Sequence, residues 1–183
     1  MPSATDAKQI EPGANIILLV GSLDPPTMDH FRALEALSVY DGADSVWLCP
    51  LSNQENTMHV RAMCSIVCSD IAGTGKQVTL CTAALDKKMG SGQELAAWVR
   101  KRYPDYKFRV ATVSPEKCAD ECKTFEVVLG QATPSSDADQ VVLDKFLPAP
   151  KDLLTRIKNG SDESRNFQAP VWAYIQKHKL YRS

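Results

Sequence analysis

The stretch "ILLVGSLDPPTMDHFRALEAL", Ile17 to Leu37, decides the fold. Its apolar start, which begins at "NIILLVG" (Asn15–Gly21), is continuous rather than alternating, the pattern of a strand buried on both faces. Gly21-Ser22 ends that run, two prolines follow, and from Thr27 to Tyr40 the apolar residues Phe31, Leu34 and Leu37 recur at helical spacing. A buried strand that turns directly into a helix is the opening of a βα unit.

The same alternation continues along the chain. "DSVWLCP" (Asp44–Pro50) reads as a second strand and His59–Ile71 as a second helix, after the polar loop "LSNQENT". Gly75–Thr82 is a third strand, Ser91–Pro104 a third helix, Tyr106–Ser114 a fourth strand and Thr124–Gly130 a fifth. The polar stretch Gln131–Gln140 reads as a loop, "KDLLTRIKNG" as a helix that Gly160 ends, "SDESRNF" as a linker, and "QAPVWAYIQKHKLY" as a final helix with Pro170 in its first turn. Residues 1–14 read as a flexible lead-in and 15–183 as a single α/β domain. The expected architecture is a doubly wound, Rossmann-like parallel sheet of about five strands with helices on both faces. Ligands in such folds bind at the carboxyl ends of the strands, where the strand order reverses. The first strand usually borders that point, and its carboxyl end is Gly21-Ser22-Leu23-Asp24.

The bulk numbers fit that reading. The chain has 183 residues, 44% of them hydrophobic and 23% charged, with a formal net charge of -1. This balance gives no field that favours nucleic acid or an anionic membrane. No apolar run approaches the roughly 20 residues of a membrane span, and "MPSATDAKQIEPGAN" has no apolar core of a signal peptide. Six cysteines without such a signal point to free thiols in a reducing intracellular compartment: cytosol, nucleus or mitochondrial matrix. Cys64/Cys68 and Cys118/Cys122 are each four apart, and the three histidines are scattered in sequence, so buried thiols are the better reading than a zinc site.

Taken residue by residue, the first loop suits an anion. Gly21 and Ser22 lack bulk, so a phosphate could approach the backbone. Thr27 and the following amides begin a helix, whose unpaired N–H groups and dipole favour negative charge. His30 lies one turn in and faces the same place, as a neutral donor or an imidazolium. Asp29 is its neighbour, but adjacent side chains on a helix diverge.

"GSLDPPTMDH" resembles the signature of the nucleotidylyltransferase superfamily, which includes nicotinamide or nicotinate mononucleotide adenylyltransferases and phosphopantetheine adenylyltransferases. Gly21, Ser22, Asp24, Pro25, Thr27 and His30 match it, while Leu23 stands where phenylalanine is usual and Asp29 where many members have glycine. "HVRAMCSIVC", with Arg61 and Met63, resembles the family's second helix, and "NFQAPVWAYIQKHKLY" the C-terminal helix of the nicotinate mononucleotide branch. The resemblance implies attack on the α-phosphate of a nucleoside triphosphate, usually ATP with Mg²⁺, by a phosphate-bearing small acceptor, with release of pyrophosphate. Thr27 and His30 would then be catalytic, and Gly21, Ser22, Leu23, Asp24, Arg61 and Arg156 would bind nucleotide.

Other parts of the pattern are missing. "PLSNQENTMHV" has no lysine before Arg61, "PAPKDLL" replaces a serine-rich turn and arginine, and the expected arginine position falls on Leu154. "KMGSGQEL" lacks the nicotinate-lining side chains, and "VATVSPE" lacks the usual glycine–x–aspartate. Lys87, Lys88, Lys151, Arg61 and Arg156 are the candidate replacements for the lost charge. "AGTGKQ" lacks P-loop spacing and reads as a tight turn. Three readings follow: an active adenylyltransferase, a non-catalytic descendant serving as an assembly subunit, and cytidylyl transfer on the same scaffold. A homo-oligomer or larger assembly is compatible with all three.

Overall fold

The computed structural model describes residues 10–52, 55–71, 75–114, 125–130, 139–142 and 148–182. Six parallel strands form its sheet: β1 (Asn15–Gly21), β2 (Ser45–Pro50), β3 (Val78–Leu80), β4 (Lys107–Ser114), β5 (Val127–Gly130) and β6 (Asp139–Val142). Their order is β3-β2-β1-β4-β5-β6, so the order reverses between β1 and β4. That reversal is the switch point of a doubly wound sheet, and it lies where the sequence put it.

β1 is continuous in apolar residues because both its faces are covered. Ile17 and Leu19 face a core completed by α1 (Met28–Ser38), α2 (Thr57–Ile71), α5 (Leu153–Lys158) and α6 (Ala169–His178). Ile16, Leu18 and Val20 face a second core, closed mainly by α4 (Gly92–Arg102). Each such side chain contributes roughly 1.5–3 kcal/mol on burial, so β1 is the anchor against which the first loop is held. At the start of α4 a Cβ on Gly92 would stand 3.0 Å from a Val20 methyl, which shows how closely that helix lies on the sheet.

Four expectations change. The sheet has six strands rather than five, because Asp139 and Gln140, read as loop, begin the four-residue β6. A short helix, α3 (Ala83–Asp86), follows β3. The lead-in is not wholly free: Gly13 N donates to Asp105 O at 2.7 Å and Tyr106 Oη donates to Ile10 O at 3.2 Å, which ties residues 10–13 to the start of β4. The linker "SDESRNF" contains a 3₁₀ turn at Ser164–Asn166. Residues 1–9, most of the Gln131–Gln140 loop, and Cys118 and Cys122 lie outside the described residues. No helix among the described residues is long and apolar enough to cross a membrane.

Candidate functional site at the mouth of β1

Two buried prolines, Pro25 and Pro26, carry the chain from β1 to α1, and Thr27 caps the helix in an extended conformation (φ -102°, ψ 176°). Leu23 stands just before them in the left-handed region (φ 51°) with its side chain 1% exposed. That backbone costs roughly 1–2 kcal/mol. Burying a leucine returns about 1.5–3 kcal/mol, enough to hold it. Leu23 can therefore offer a nucleotide only its backbone.

His30 turns back over the helix start. Thr27 N donates to His30 Nδ1 at 3.1 Å, and Thr27 Oγ1 lies 2.9 Å from the same nitrogen. A nitrogen that accepts an N–H bond carries no proton, so in the state where Nδ1 takes the Thr27 amide the neutral ring holds its proton on Nε2. Burial pushes the His30 pKa down, opposed in part by the Asp29 carboxylate, whose Oδ1 is 3.6 Å from Nδ1. Nε2 points toward Gly21, where even a Cβ would stand 3.8 Å away. The bare Gly21 and the exposed Ser22 are therefore the residues of the first loop nearest to that nitrogen.

Asp29 corrects two expectations. It does not diverge from His30 but folds back, accepting from Thr27 Oγ1 and from His30 N (3.1 Å). Thr27 N and His30 N, two of the amides offered to an anion, are thus engaged by the protein's own side chains. Asp24 is engaged as well, by the Tyr181 hydroxyl and by Asn56 Nδ2 at 3.3 Å. Burial and the Asp24 carboxylate both push the Tyr181 pKa up, so the hydroxyl stays a donor and ties the C-terminal segment to the first loop.

The cationic candidates lie elsewhere. Arg61 pairs with Asp86 at 2.5 Å, and Thr82 Oγ1 donates to the other Asp86 oxygen at 2.9 Å. These contacts hold the Asp86 carboxyl below its usual range, the Arg61 hydrogen bond first among them. Arg156 is held by Asp152 at 2.9 Å and lies 3.9 Å from the buried Glu163. Lys87 sits over the Trp98 ring at 5.2 Å. Leu154, at the position expected for arginine, is 44% exposed, an apolar side chain left in solvent. An anion would have to displace an existing carboxylate to use Arg61 or Arg156.

Two arginines missed by the sequence reading border the same helix start. Arg32 on α1 and Arg165 in the 3₁₀ turn line a cleft of about 370 Å³ that includes Asp29 and the Pro148–Pro150 segment. The signal was available for Arg32: it lies four residues after Met28 and three after Asp29, on the helix face that lines this cleft. For Arg165 there was none, because only the fold brings it to α1. A larger hollow of about 520 Å³ lies at the amino ends of β1 and β3, away from the strand ends where ligands of such sheets bind.

Cys49 and Cys64 are buried, Cys68 and Cys81 half-buried, and all four are free thiols. Among the described residues no three His, Cys, Asp or Glu side chains converge on a metal site. His59 and His178, scattered in sequence, meet between α2 and α6, where His59 Nδ1 is 3.0 Å from Tyr174 Oη. Gly75 and Lys76 form a turn beneath α1, with Lys76 N bonded to Ser38 O at 2.9 Å; it precedes a strand, as no phosphate loop does.

No protein-family model matches the sequence, and no curated protein matches it. Solved structures do match. A protein of Vibrio parahaemolyticus provisionally assigned as a nicotinate-nucleotide adenylyltransferase superposes with a TM-score of 0.67 at 15% identity, covering 93% of this chain and 96% of that one. Plasmodium falciparum nicotinic acid mononucleotide adenylyltransferase matches as its complex with APC (TM-score 0.70, 14% identity, 92% of this chain and 97% of that). The same enzyme complexed with NaAD gives 0.69 at 14% identity, with the same coverage. Over nearly its whole length, then, this chain has the Rossmann-like fold that these adenylyltransferases share.

Proposed function

We propose that the chain is a nucleotidyltransferase that moves an adenylyl group from ATP to the phosphate of a pyridine mononucleotide, releasing pyrophosphate. The observation that carries this reading is the placing of His30, whose Nδ1 takes the Thr27 amide and whose Nε2 stands beside the bare Gly21 at the switch point of the sheet. The match in fold to enzymes named for that reaction supports it.

In the reaction an acceptor phosphate oxygen attacks the α-phosphorus. A new P–O bond forms, the bond from that phosphorus to the α–β bridging oxygen breaks, and its electron pair leaves with pyrophosphate. No protein nucleophile is required, so positioning and charge stabilisation do the catalytic work. His30 Nε2–H donates to a non-bridging oxygen on the α-phosphate, and the Thr27 amide fixes the tautomer. Backbone at Gly21 and Ser22 lies against the nucleotide. Mg²⁺ enters with the triphosphate as part of the substrate and offsets its negative charge.

Pyrophosphate release with Mg-ATP, screened over nicotinate mononucleotide, nicotinamide mononucleotide and phosphopantetheine, tests the proposal. Turnover with a pyridine mononucleotide is expected. Turnover only with CTP and an alcohol phosphate would move the chemistry to cytidylyl transfer, and no release with any pair would leave a non-catalytic assembly role.

A further inference from the structure

The proposed reaction uses no thiol, yet the sheet brings two of them together. Cys49 is the last residue but one of β2, opposite Val20 of β1. Leu48 of β2 pairs with Leu80, the last residue of β3. Cys81 N then donates to Leu48 O at 2.9 Å, so the ladder runs one step further and sets Cys81 beside Cys49. Residues side by side on neighbouring strands share a face of the sheet. Both side chains accordingly pack in the second core, Cys49 buried and Cys81 half-buried. Neighbouring strands lie about 4.8 Å apart, inside the roughly 4.4–6.8 Å between Cα atoms that a disulfide spans. The two thiols hydrogen-bond to each other.

Their surroundings give them different chemistry. The hydrogen bond with Cys49 is the main cause that brings the Cys81 pKa down to about 7; partial burial opposes it, the Ala83 amide adds to it, and the Asp86 carboxylate opposes it. About half of such a thiol is thiolate at pH 7, against a few per cent of an ordinary cysteine. Burial, and then Cys81 itself, pushes the Cys49 thiol well up, so Cys49 keeps its proton. Cys64 and Cys68, one turn apart on α2, show no such division, because burial raises both.

We infer that Cys81 and Cys49 form a dithiol that a hydroperoxide oxidises, with Cys81 as the attacking sulfur and Cys49 as the one that closes the disulfide. The Cys81 thiolate attacks one oxygen of hydrogen peroxide. The O–O bond breaks, hydroxide leaves with its electron pair and takes up the proton that Cys81 gave to solvent, and Cys81 becomes a sulfenic acid. The Cys49 sulfur then attacks the Cys81 sulfur. An S–S bond forms, the S–O bond breaks, and the Cys49 proton leaves with the hydroxyl as water. The two sulfurs together lose two electrons, and the peroxide gains them. The bridge lies one residue short of the Gly21–Pro50 pair, at the carboxyl edge of the sheet, and joins the β3–α3 turn to β2. It does not depend on the reaction proposed above.

Oxidation of the whole chain with one equivalent of hydrogen peroxide at pH 7, blocking with N-ethylmaleimide, and non-reducing tryptic mass spectrometry test it. Cleavage after Arg32, Arg61, Lys76 and Lys87 leaves Cys49 in 33–61, Cys64 and Cys68 in 62–76, and Cys81 in 77–87, so each pairing has its own mass. The 33–61/77–87 pair should be the main oxidised species, about tenfold over any other, as the thiolate fractions imply, and dithiothreitol should remove it. In Cys49→Ala, Cys81 should stop at the sulfenic acid and be captured by dimedone. In Cys81→Ser, Cys49 should stay reduced. Circular dichroism confirms folding of each variant, and the wild-type map stands without either.

Absence of the linked pair from oxidised wild type overturns the inference. So does oxidation that falls first on Cys64, Cys68, Cys118 or Cys122, or a Cys81 carried on to sulfinic acid while Cys49 is still a thiol.

Discussion

The two helix starts at the carboxyl side of the sheet, α1 and α5, have opposite fates. α1 is eleven residues long, follows the central strand, and its cap, ring and carboxylate form one linked group: Thr27, His30 and Asp29. α5 is six residues long, and its Asp152 makes no side-chain capping bond, spending its carboxylate on Arg156 instead. Leu154 on α5, at the position where the family resemblance places an arginine, is exposed. One helix start holds a cap, a ring and a carboxylate in one hydrogen-bonded group, and the other carries an ordinary surface ion pair.

The largest expected effect comes from breaking the α1 side. His30→Ala should lower the pyrophosphate-release rate by roughly 10²–10³, the usual cost of one preorganised donor at a developing charge. Steady-state kinetics with far-ultraviolet circular dichroism checks this, and a rate within threefold of wild type would make α1 no more functional than α5. Thr27→Val should come next, losing about 1.5 kcal/mol of stability in urea unfolding as the hydroxyl's bond to the buried Asp29 carboxylate disappears. It should also slow the reaction, because Asp29 loses its donor and is freed to swing toward the ring.

Leu154→Arg sharpens the comparison from the other side. Returning a cation to the α5 start should tighten Mg-ATP binding about threefold by calorimetry, the modest gain of an exposed charge contact. A gain of 100-fold would mean that the α5 start, not the α1 start, limits binding.

The smallest effect is on pH dependence. His30 has its folded pKa below the usual value of about 6.5. Between the two values the unfolded chain binds more protons, so the stability tied to neutral His30 is complete above about 6.5 and is lost as pH falls below it. Wild type should therefore unfold more easily on acidification through that window than His30→Gln, and equal slopes would contradict the burial of the neutral ring.

Legibility in the sequence followed the same division. β1 and α1 could be read because an apolar run and helical spacing are strong local signals, and the switch point followed from β1's place in the alternation. β6 could not, since a four-residue edge strand starting Asp-Gln carries no periodicity. Asp29's return to the helix start was missed because the neighbour rule holds inside helices, whereas in a first turn free amides draw a carboxylate back. Arg61 and Arg156 were chosen for their positions in a motif. Their carboxylate partners, Asp86 and Asp152, decide what they do, and the long-range pair with Asp86 belongs to the fold rather than to the local sequence. Arg32 and Arg165 meet across one cleft from separate elements, which no local pattern encodes.

The most direct test of the central claim is the imidazole itself. Long-range ¹H–¹⁵N correlation spectra of the histidines, assigned with His30→Gln, report which ring nitrogen holds the proton at pH 7. The account predicts a neutral His30 with its proton on Nε2, whose Nε2 resonance shifts when Mg-ATP is added. A protonated ring, a proton on Nδ1, or a resonance indifferent to saturating Mg-ATP would contradict it.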